Sequence, residues 1–166
     1  RCYFAIILIA TAIIFANILD RCVSIFDALT KSVFQVASLI TSTGFSSTDF
    51  NLWPQICRTV LVLIMFIGAC AGSTGGGIKV SRVIVLFKTM IKELHSYIHP
   101  KSIRKVNLDG KPVEHEIVRS INVYIVTFVI IFASSVFMVA FDGKDLVTNF
   151  TAVLTTINNM GPGLAE

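Results

Sequence analysis

The stretch Leu39-Ile40-Thr41-Ser42-Thr43-Gly44-Phe45-Ser46-Ser47 ends a short apolar segment with small hydroxyl side chains and one glycine, and a long apolar segment follows it. A second stretch, Thr155-Thr156-Ile157-Asn158-Asn159-Met160-Gly161-Pro162-Gly163, ends another short segment in a similar way. Ser32 lies 12 residues before Gly44, and Asn149 lies 12 residues before Gly161. The two short segments can therefore be aligned as an internal repeat.

The composition of the chain is that of a membrane protein. Hydrophobic residues make up 54% of the sequence, charged residues make up 14%, and the mean hydropathy is +0.79. Soluble domains contain about one charged residue in four, so the composition argues against a soluble domain. The chain starts with Arg1 rather than Met and stops at Glu166, directly after the second glycine-rich stretch. We therefore expect it to be part of a longer protein.

Two apolar runs are long enough to cross a bilayer. Residues 2–19 would form a helix about 27 Å long at 1.5 Å per residue, and residues 117–141 would form a longer one. Residues 27–40 are amphipathic and too short to span, and residues 146–157 are shorter still. We predict that these two short segments are re-entrant helices.

A third apolar run is interrupted by glycines. Residues 54–67 are predicted to form a membrane helix that begins at Trp53-Pro54, where an interfacial tryptophan and an N1 proline favour a helix start. Residues 68–77 contain five glycines, each of which costs a helix about 1 kcal/mol relative to alanine. Helical periodicity resumes over residues 78–94. One long helix is therefore predicted to be broken in the membrane.

The positive charges predict the orientation of the chain. Nine of the 14 Lys and Arg residues fall between residues 78 and 120, so the positive-inside rule places that segment in the cytoplasm. An Asp109-Gly110 pair within it predicts a short hairpin. We divide the chain into a span/pore-helix/span unit with a broken second helix (residues 1–94), a basic cytoplasmic linker (residues 95–116) and an incomplete further unit that ends after its filter (residues 117–166).

Irregular backbone at membrane depth points to ion chemistry. Carbonyl groups beyond a re-entrant helix are tolerated only where they are buried in protein or line an aqueous path. A ring of carbonyl oxygens can replace the hydration shell of potassium, and glycine permits the backbone angles that aim them at one axis. The C-terminal ends of both short helices carry partial negative charge, which favours a cation. Alternatively, Gly44 and Gly161 are ordinary helix C-caps.

Three motifs resemble those of a known family. Thr41-Ser42-Thr43-Gly44-Phe45 is similar to the third filter of the Trk/Ktr/HKT superfamily of potassium transporters, and Asn158-Asn159-Met160-Gly161-Pro162-Gly163 to the fourth filter of its Trk-type bacterial members. Ala71-Gly72-Ser73-Thr74-Gly75-Gly76-Gly77-Ile78-Lys79 is similar to the family's intramembrane loop. The resemblance implies an all-α membrane protein of span/pore-helix/span repeats with re-entrant selectivity-filter loops, as in potassium channels. This chain looks like the third unit and two-thirds of the fourth.

The resemblance also implies roles for individual residues. It implies two filter segments that bind the ion, and a gate loop beneath them. Potassium would lie at Thr43, Gly44, Met160 and Gly161. The complete filter set is Thr41, Ser42, Thr43, Gly44, Asn158, Asn159, Met160 and Gly161, and the gate loop is Gly72, Ser73, Thr74, Gly75, Gly76 and Gly77.

Function and partners are likewise implied by the resemblance. Family members of this type transport potassium through a pore in the bacterial inner membrane, which they cross several times, and a glycine-rich intramembrane loop gates them. A member of this family would be a non-enzymatic transporter that binds no cofactor and no nucleic acid, with potassium as its transported substrate. Its surroundings would be the lipid bilayer and a cytosolic ring of nucleotide-binding regulatory subunits. The full-length protein would form a homodimer.

Two other functions fit parts of the sequence. An alternating-access secondary transporter also uses broken helices, but it predicts an ionisable residue within the membrane. None is obvious between residues 61 and 77 or between residues 123 and 140. A P-loop nucleotidase is the more remote alternative. Residues 72–79 approach that motif, but Ile78 stands where Lys must directly follow the second fixed glycine.

Overall fold

A computed structural model describes residues 2–68, 70, 73, 76–98, 107–108, 111–161 and 163 of the chain. The chain forms two compact units. The first unit comprises Arg1–Val80 and Phe132–Glu166, and the second comprises Ser81–Ile131. Both candidate filter segments and the predicted helix break belong to the first unit.

The described residues are mostly helical. The helices are α1 (Cys2–Ile18), α2 (Ile25–Ile40), α3 (Gln55–Phe66), α4 (Val80–Ile98), α5 (His115–Ala140) and α6 (Leu146–Ile157), with short 3-10 turns at Leu19–Arg21 and Phe50–Leu52. Two-residue strands form two small ladders. β1 (Ile67–Gly68) pairs in parallel with β2 (Ile78–Lys79), and β3 (Asn107–Leu108) pairs in antiparallel fashion with β4 (Lys111–Pro112).

Two helices are long and apolar enough to cross a membrane, judged by length and composition. They are Cys2–Arg21, which joins α1 to the turn after it, and α5. In the most apolar 18-residue stretch of each, 17% of the residues of Cys2–Arg21 and 6% of those of α5 are buried within the chain. Such exposed apolar surface suits a helix that faces lipid or other membrane helices. Both helices correspond to the long apolar runs of the sequence.

The two short helices predicted from the sequence are present. α2 has 16 residues and is about 24 Å long, and α6 has 12 residues and is about 18 Å long. Both are shorter than the hydrocarbon core of a bilayer, which is about 30 Å thick. α2 begins at Ile25, two residues before the predicted start, because the Ser24 hydroxyl accepts a hydrogen bond from the Asp27 amide at 3.2 Å and caps the helix.

The core of the first unit forms where α1, α2 and α3 pack together, and α6 contributes to it. The rings of Phe66, Phe132 and Phe150 pack against one another in edge-to-face and tilted geometries, with centroid separations of 5.0 to 5.8 Å. This aromatic cluster joins the end of α3 to α6. The largest fully buried apolar side chains are Ile14, Ile18, Leu39, Ile40, Leu61, Met65 and Leu154.

The predicted break in the third apolar run is confirmed. α3 ends at Phe66, and the chain then returns alongside itself, with Ile67 paired to Ile78 and Gly68 paired to Lys79. The next helix begins at Val80 rather than Ile78, because the two residues before it are extended in the ladder. α4 continues to Ile98, past the predicted end at residue 94, so helix extends into the segment predicted to be a linker.

The second unit contains the facing parts of α4 and α5 and the small antiparallel ladder. The predicted hairpin is confirmed by the pairing of β3 with β4, although Asp109-Gly110 lies outside the described residues. Lys88 Nζ donates a hydrogen bond to the Asn107 carbonyl oxygen at 2.8 Å. The Arg82 guanidinium carbon lies 4.0 Å from the centroid of the Tyr124 ring, a cation–π contact between the two helices.

Candidate functional site

The first candidate filter loop begins where α2 ends. Thr41 keeps near-helical backbone angles, with φ −88° and ψ −1°. Ser42 then becomes left-handed with φ 57°, and Gly44 is left-handed with φ 79°. The Thr43 amide donates to the Ser38 carbonyl oxygen at 2.9 Å. The Ser38 hydroxyl donates to the Phe45 carbonyl oxygen at 2.6 Å. The loop is therefore fastened to the last turn of α2.

The second candidate filter loop repeats this backbone geometry after α6. Asn158 has φ −89° and ψ 0°, Asn159 has φ 54°, and Gly161 has φ 90°. The Met160 amide donates to the Thr155 carbonyl oxygen at 2.9 Å, which matches the amide bond in the first loop. The internal repeat inferred from the sequence is therefore also a repeat of backbone conformation.

The left-handed residues show where each short helix ends relative to Gly44 and Gly161. In both loops the residue that closes the helix in a Schellman-type cap is not glycine but Ser42 or Asn159. The two glycines lie two residues further along, and the Gly44 amide also donates to the Ser38 carbonyl oxygen at 3.4 Å. A second left-handed residue so close to the first turns the main chain again. Such a turn is compatible with directing successive carbonyl groups toward one axis.

Several side chains in the two loops are engaged within the protein, whereas Ser42 Oγ and Asn158 Oδ1 are buried without a hydrogen-bond partner. Thr41 Oγ1 donates to the Ala37 carbonyl oxygen at 2.7 Å and lies 2.7 Å from Thr43 Oγ1. The Met160 side chain is 2% exposed and belongs to the hydrophobic core. Within the described part of the chain, no three His, Cys, Asp or Glu side chains gather as a metal site.

Asn158 makes a contact that the sequence did not predict. Its side chain is fully buried, and Nδ2 donates to the Met65 carbonyl oxygen in the last turn of α3 at 2.8 Å. Met65 was not among the predicted site residues. The signal available in the sequence was the difference between the repeats, because the first loop has Thr41 at the position of Asn158.

The described part of the predicted gate loop packs closely against the second filter loop. A Cβ atom at Gly76 would collide with the Asn158 carbonyl oxygen, and one at Gly77 would lie 2.8 Å from Asn158 Oδ1. The Ser73 carbonyl oxygen accepts a hydrogen bond from Lys79 Nζ at 2.7 Å. The other predicted gate residues, Gly72, Thr74 and Gly75, lie outside the described residues.

The sequence from residue 3 to residue 165 matches the family model described as TrkH, cation transport protein. The chain belongs to the TrkH family. This membership confirms the resemblance to Trk-type transporters. The TrkH-family fold is also matched by the crystal structure of the potassium transporter TrkH from Vibrio parahaemolyticus, with a TM-score of 0.91 and 32% sequence identity, covering 100% of this chain and 36% of that one. The predicted helical membrane-transporter fold is confirmed by this match.

Curated TrkH relatives are similar along most of the chain. The Trk system potassium uptake protein TrkH of Salmonella typhimurium is 34% identical over 160 residues, 96% of this chain and 32% of that protein. The TrkH protein of Escherichia coli K12 is 32% identical over 162 residues, 97% of this chain and 33% of that protein. The TrkH protein of Halomonas elongata is 36% identical over 140 residues, which are 84% of this chain and 29% of that protein. The chain spans about a third of the length of these relatives.

Proposed function

We propose that the complete protein transports potassium across the cell membrane through a pore whose filter includes both loops of this chain. The observation that carries the proposal is the repeated conformation, with left-handed Ser42 and Gly44 in one loop and left-handed Asn159 and Gly161 in the other. The curated relatives are described as Trk system potassium uptake proteins, which supports potassium as the ion.

The filter works by replacing water around the ion with main-chain oxygens. Potassium is held at Thr43 and Gly44 of the first loop and at Met160 and Gly161 of the second. Thr41, Ser42, Asn158 and Asn159 complete the two filter segments. The C-terminal ends of α2 and α6 carry partial negative charge next to these loops, which lowers the cost of removing water from a cation.

The glycine-rich segment between α3 and α4 acts as the gate. Gly76 and Gly77 pack against Asn158 at the start of the second filter loop, so movement of this segment would change the path directly beside the filter. The remaining gate residues are Gly72, Ser73, Thr74 and Gly75. α3 ends before the break and α4 begins after it. A small rotation of either helix can therefore move the gate without unfolding it.

The organisation of the complete protein follows from the same proposal. Residues 1–94 are the third span/pore-helix/span unit, residues 95–116 are a cytoplasmic linker, and residues 117–166 are part of the fourth unit. The protein lies in the bacterial inner membrane as a multi-pass homodimer. A cytosolic ring of nucleotide-binding regulatory subunits docks on the basic linker, and the protein needs no cofactor and catalyses no reaction.

Glycine substitutions in the complete protein test the filter. Gly44→Ser and Gly161→Ser force a side chain into a left-handed conformation, which costs about 1–2 kcal/mol, so potassium uptake should fall about tenfold or potassium-over-sodium selectivity should relax. Gly143→Ser is the matched control, because Gly143 has φ 72° and nothing within 4 Å of an added Cβ, and it lies outside both loops.

The outcomes separate the proposal from its rivals. Uptake and selectivity that stay at the wild-type level in both filter variants would contradict the filter. Uptake into proteoliposomes that requires a proton or sodium gradient would favour an alternating-access carrier over the pore. Uptake that requires nucleotide hydrolysis by this chain would favour the P-loop alternative.

A further inference from the structure

An open groove lies between residues 55–63 of α3 and residues 146–151 of α6. It encloses about 530 Å³, and both of its walls belong to the first unit. The α3 wall is one face of that helix, because its lining residues recur at intervals of three or four positions. The residues that matter below are Gln55, Arg58, Val62 and Leu63 on α3 and Val147 and Phe150 on α6.

Arg58 is the one charged residue among those that line this mostly apolar groove. Its Nη2 atom donates to Gln55 Oε1 in the preceding turn, and its Nε atom is buried without a hydrogen-bond partner. No carboxylate oxygen of the described residues lies within 4 Å of its guanidinium nitrogens. A charge without a counter-ion is costly in an apolar setting, so the groove favours an anionic occupant.

The position of Arg58 along α3 agrees with the depth of a lipid headgroup. The helix follows Trp53-Pro54, and tryptophan favours the interface between membrane and water. Arg58 lies about 7 Å beyond Trp53 along the helix, and Leu63 lies about 7 Å further still. An arginine near a helix end extends its guanidinium toward the interface. A phosphate at Arg58 would therefore have its acyl chain directed past Leu63.

The remaining surface of the groove suits a lipid better than another protein segment. Leu63 is 58% exposed and Val147 is 56% exposed. A protein segment that paired with Arg58 would have to bring a carboxylate to membrane depth, where an ionised side chain is costly. A phospholipid carries its charge at the interface and its apolar chain below it, which is the order of Arg58 and Leu63 along the groove. Asp145, which accepts a hydrogen bond from the Val147 amide at 3.2 Å, does not line the groove.

We propose that this groove binds an anionic phospholipid, whose phosphate contacts Arg58 and whose acyl chain lies along Val62, Leu63 and Phe150. Phe150 belongs to α6, which carries the second filter loop, so a bound lipid packs against the helix that positions that loop. This site goes beyond the proposed function. It requires that the chain lies in a membrane, and it does not depend on which ion the complete protein transports.

Headgroup selectivity tests the role of Arg58. Native mass spectrometry of the complete protein, delipidated in mild detergent, measures the binding of phosphatidylglycerol and of zwitterionic phosphatidylcholine with identical acyl chains. The wild type should bind phosphatidylglycerol about tenfold more tightly, and Arg58→Gln should remove most of this preference, because a charge-assisted hydrogen bond is lost. Lys144→Gln is the matched control, since it removes the same charge from an exposed residue close to α6 that does not line the groove.

Filling the groove tests the acyl-chain part of the site. Leu63→Trp should weaken the binding of both lipids about fivefold and leave the preference for phosphatidylglycerol unchanged, because it occupies the space of the chain and not that of the phosphate. Ile56→Trp is the control, because Ile56 is 57% exposed on the same helix but does not line the groove. If Leu63→Trp does not accumulate, Val147→Trp fills the groove from the opposite wall.

The outcomes decide what occupies the groove. Loss of headgroup preference in Arg58→Gln but not in Lys144→Gln, together with weaker binding of both lipids in Leu63→Trp, supports the lipid site. Equal preference in Arg58→Gln and wild type would overturn it. Displacement of phosphatidylglycerol by millimolar inorganic phosphate would assign Arg58 to a free anion instead. Absence of any headgroup preference in the wild type, with a lower melting temperature for Leu63→Trp than for Ile56→Trp, would show that another segment of the complete protein fills the groove.

Discussion

Ser42 and Asn159 adopt the same left-handed backbone conformation, with φ of 57° and 54°, at equivalent positions of two loops. Each directly follows the last near-helical residue of a short helix and precedes a left-handed glycine by two residues. This conformation has an unfavourable conformational energy for any residue other than glycine, and asparagine tolerates it better than serine. The two loops therefore share one backbone shape, although different residues occupy the left-handed position.

The two positions should respond differently to glycine. Ser42→Gly removes the cost of a left-handed serine and should stabilise the protein by about 1 kcal/mol, whereas Asn159→Gly should gain less because asparagine already accepts this region. Thermal unfolding of the complete protein in detergent measures both changes. A lower melting temperature for Ser42→Gly than for the wild type would show that the serine conformation is not strained.

Gly76→Ala tests the close approach of the gate segment to the second filter loop. An added Cβ would collide with the Asn158 carbonyl oxygen, and overpacking of this kind costs about 1–3 kcal/mol, so the segment should move and basal potassium flux should rise. Potassium efflux from proteoliposomes measures the change. Gly143→Ala serves as the control, since an added Cβ there meets nothing within 4 Å. Equal efflux from Gly76→Ala and wild type would mean that the packed arrangement does not limit flow.

Lys79 ties the gate segment to the start of the following helix. Its ammonium group donates to the Ser73 carbonyl oxygen at 2.7 Å, a charge-assisted hydrogen bond. Lys79→Met removes this bond and should increase basal potassium flux about fivefold, whereas Lys79→Arg keeps a donor and should increase it less. Tracer flux into proteoliposomes compares the two variants. A higher basal flux in Lys79→Arg than in Lys79→Met would show that Lys79 has a role other than holding the segment.

The sequence predicted the parts of the fold that depend on local patterns. The short helices, the long apolar helices and the glycine-rich break after α3 each follow from segment length, polarity or glycine content, which can be counted along the chain. The contact between Asn158 and Met65 could not be predicted in this way, because it depends on how α6 packs beside the end of α3. The β1–β2 pairing was missed for the same reason, and it moved the start of α4 to Val80.

The filter itself can be tested by locating the ion. Crystals of the complete protein, grown with rubidium in place of potassium, give an anomalous difference map that shows the cation without assumptions about transport. The account predicts a rubidium peak bounded by the main-chain oxygens of Thr43, Gly44, Met160 and Gly161, and loss of that peak in Gly161→Ser. Rubidium bound elsewhere along the pore, with no peak at these two loops, would contradict the assignment of the loops as the filter.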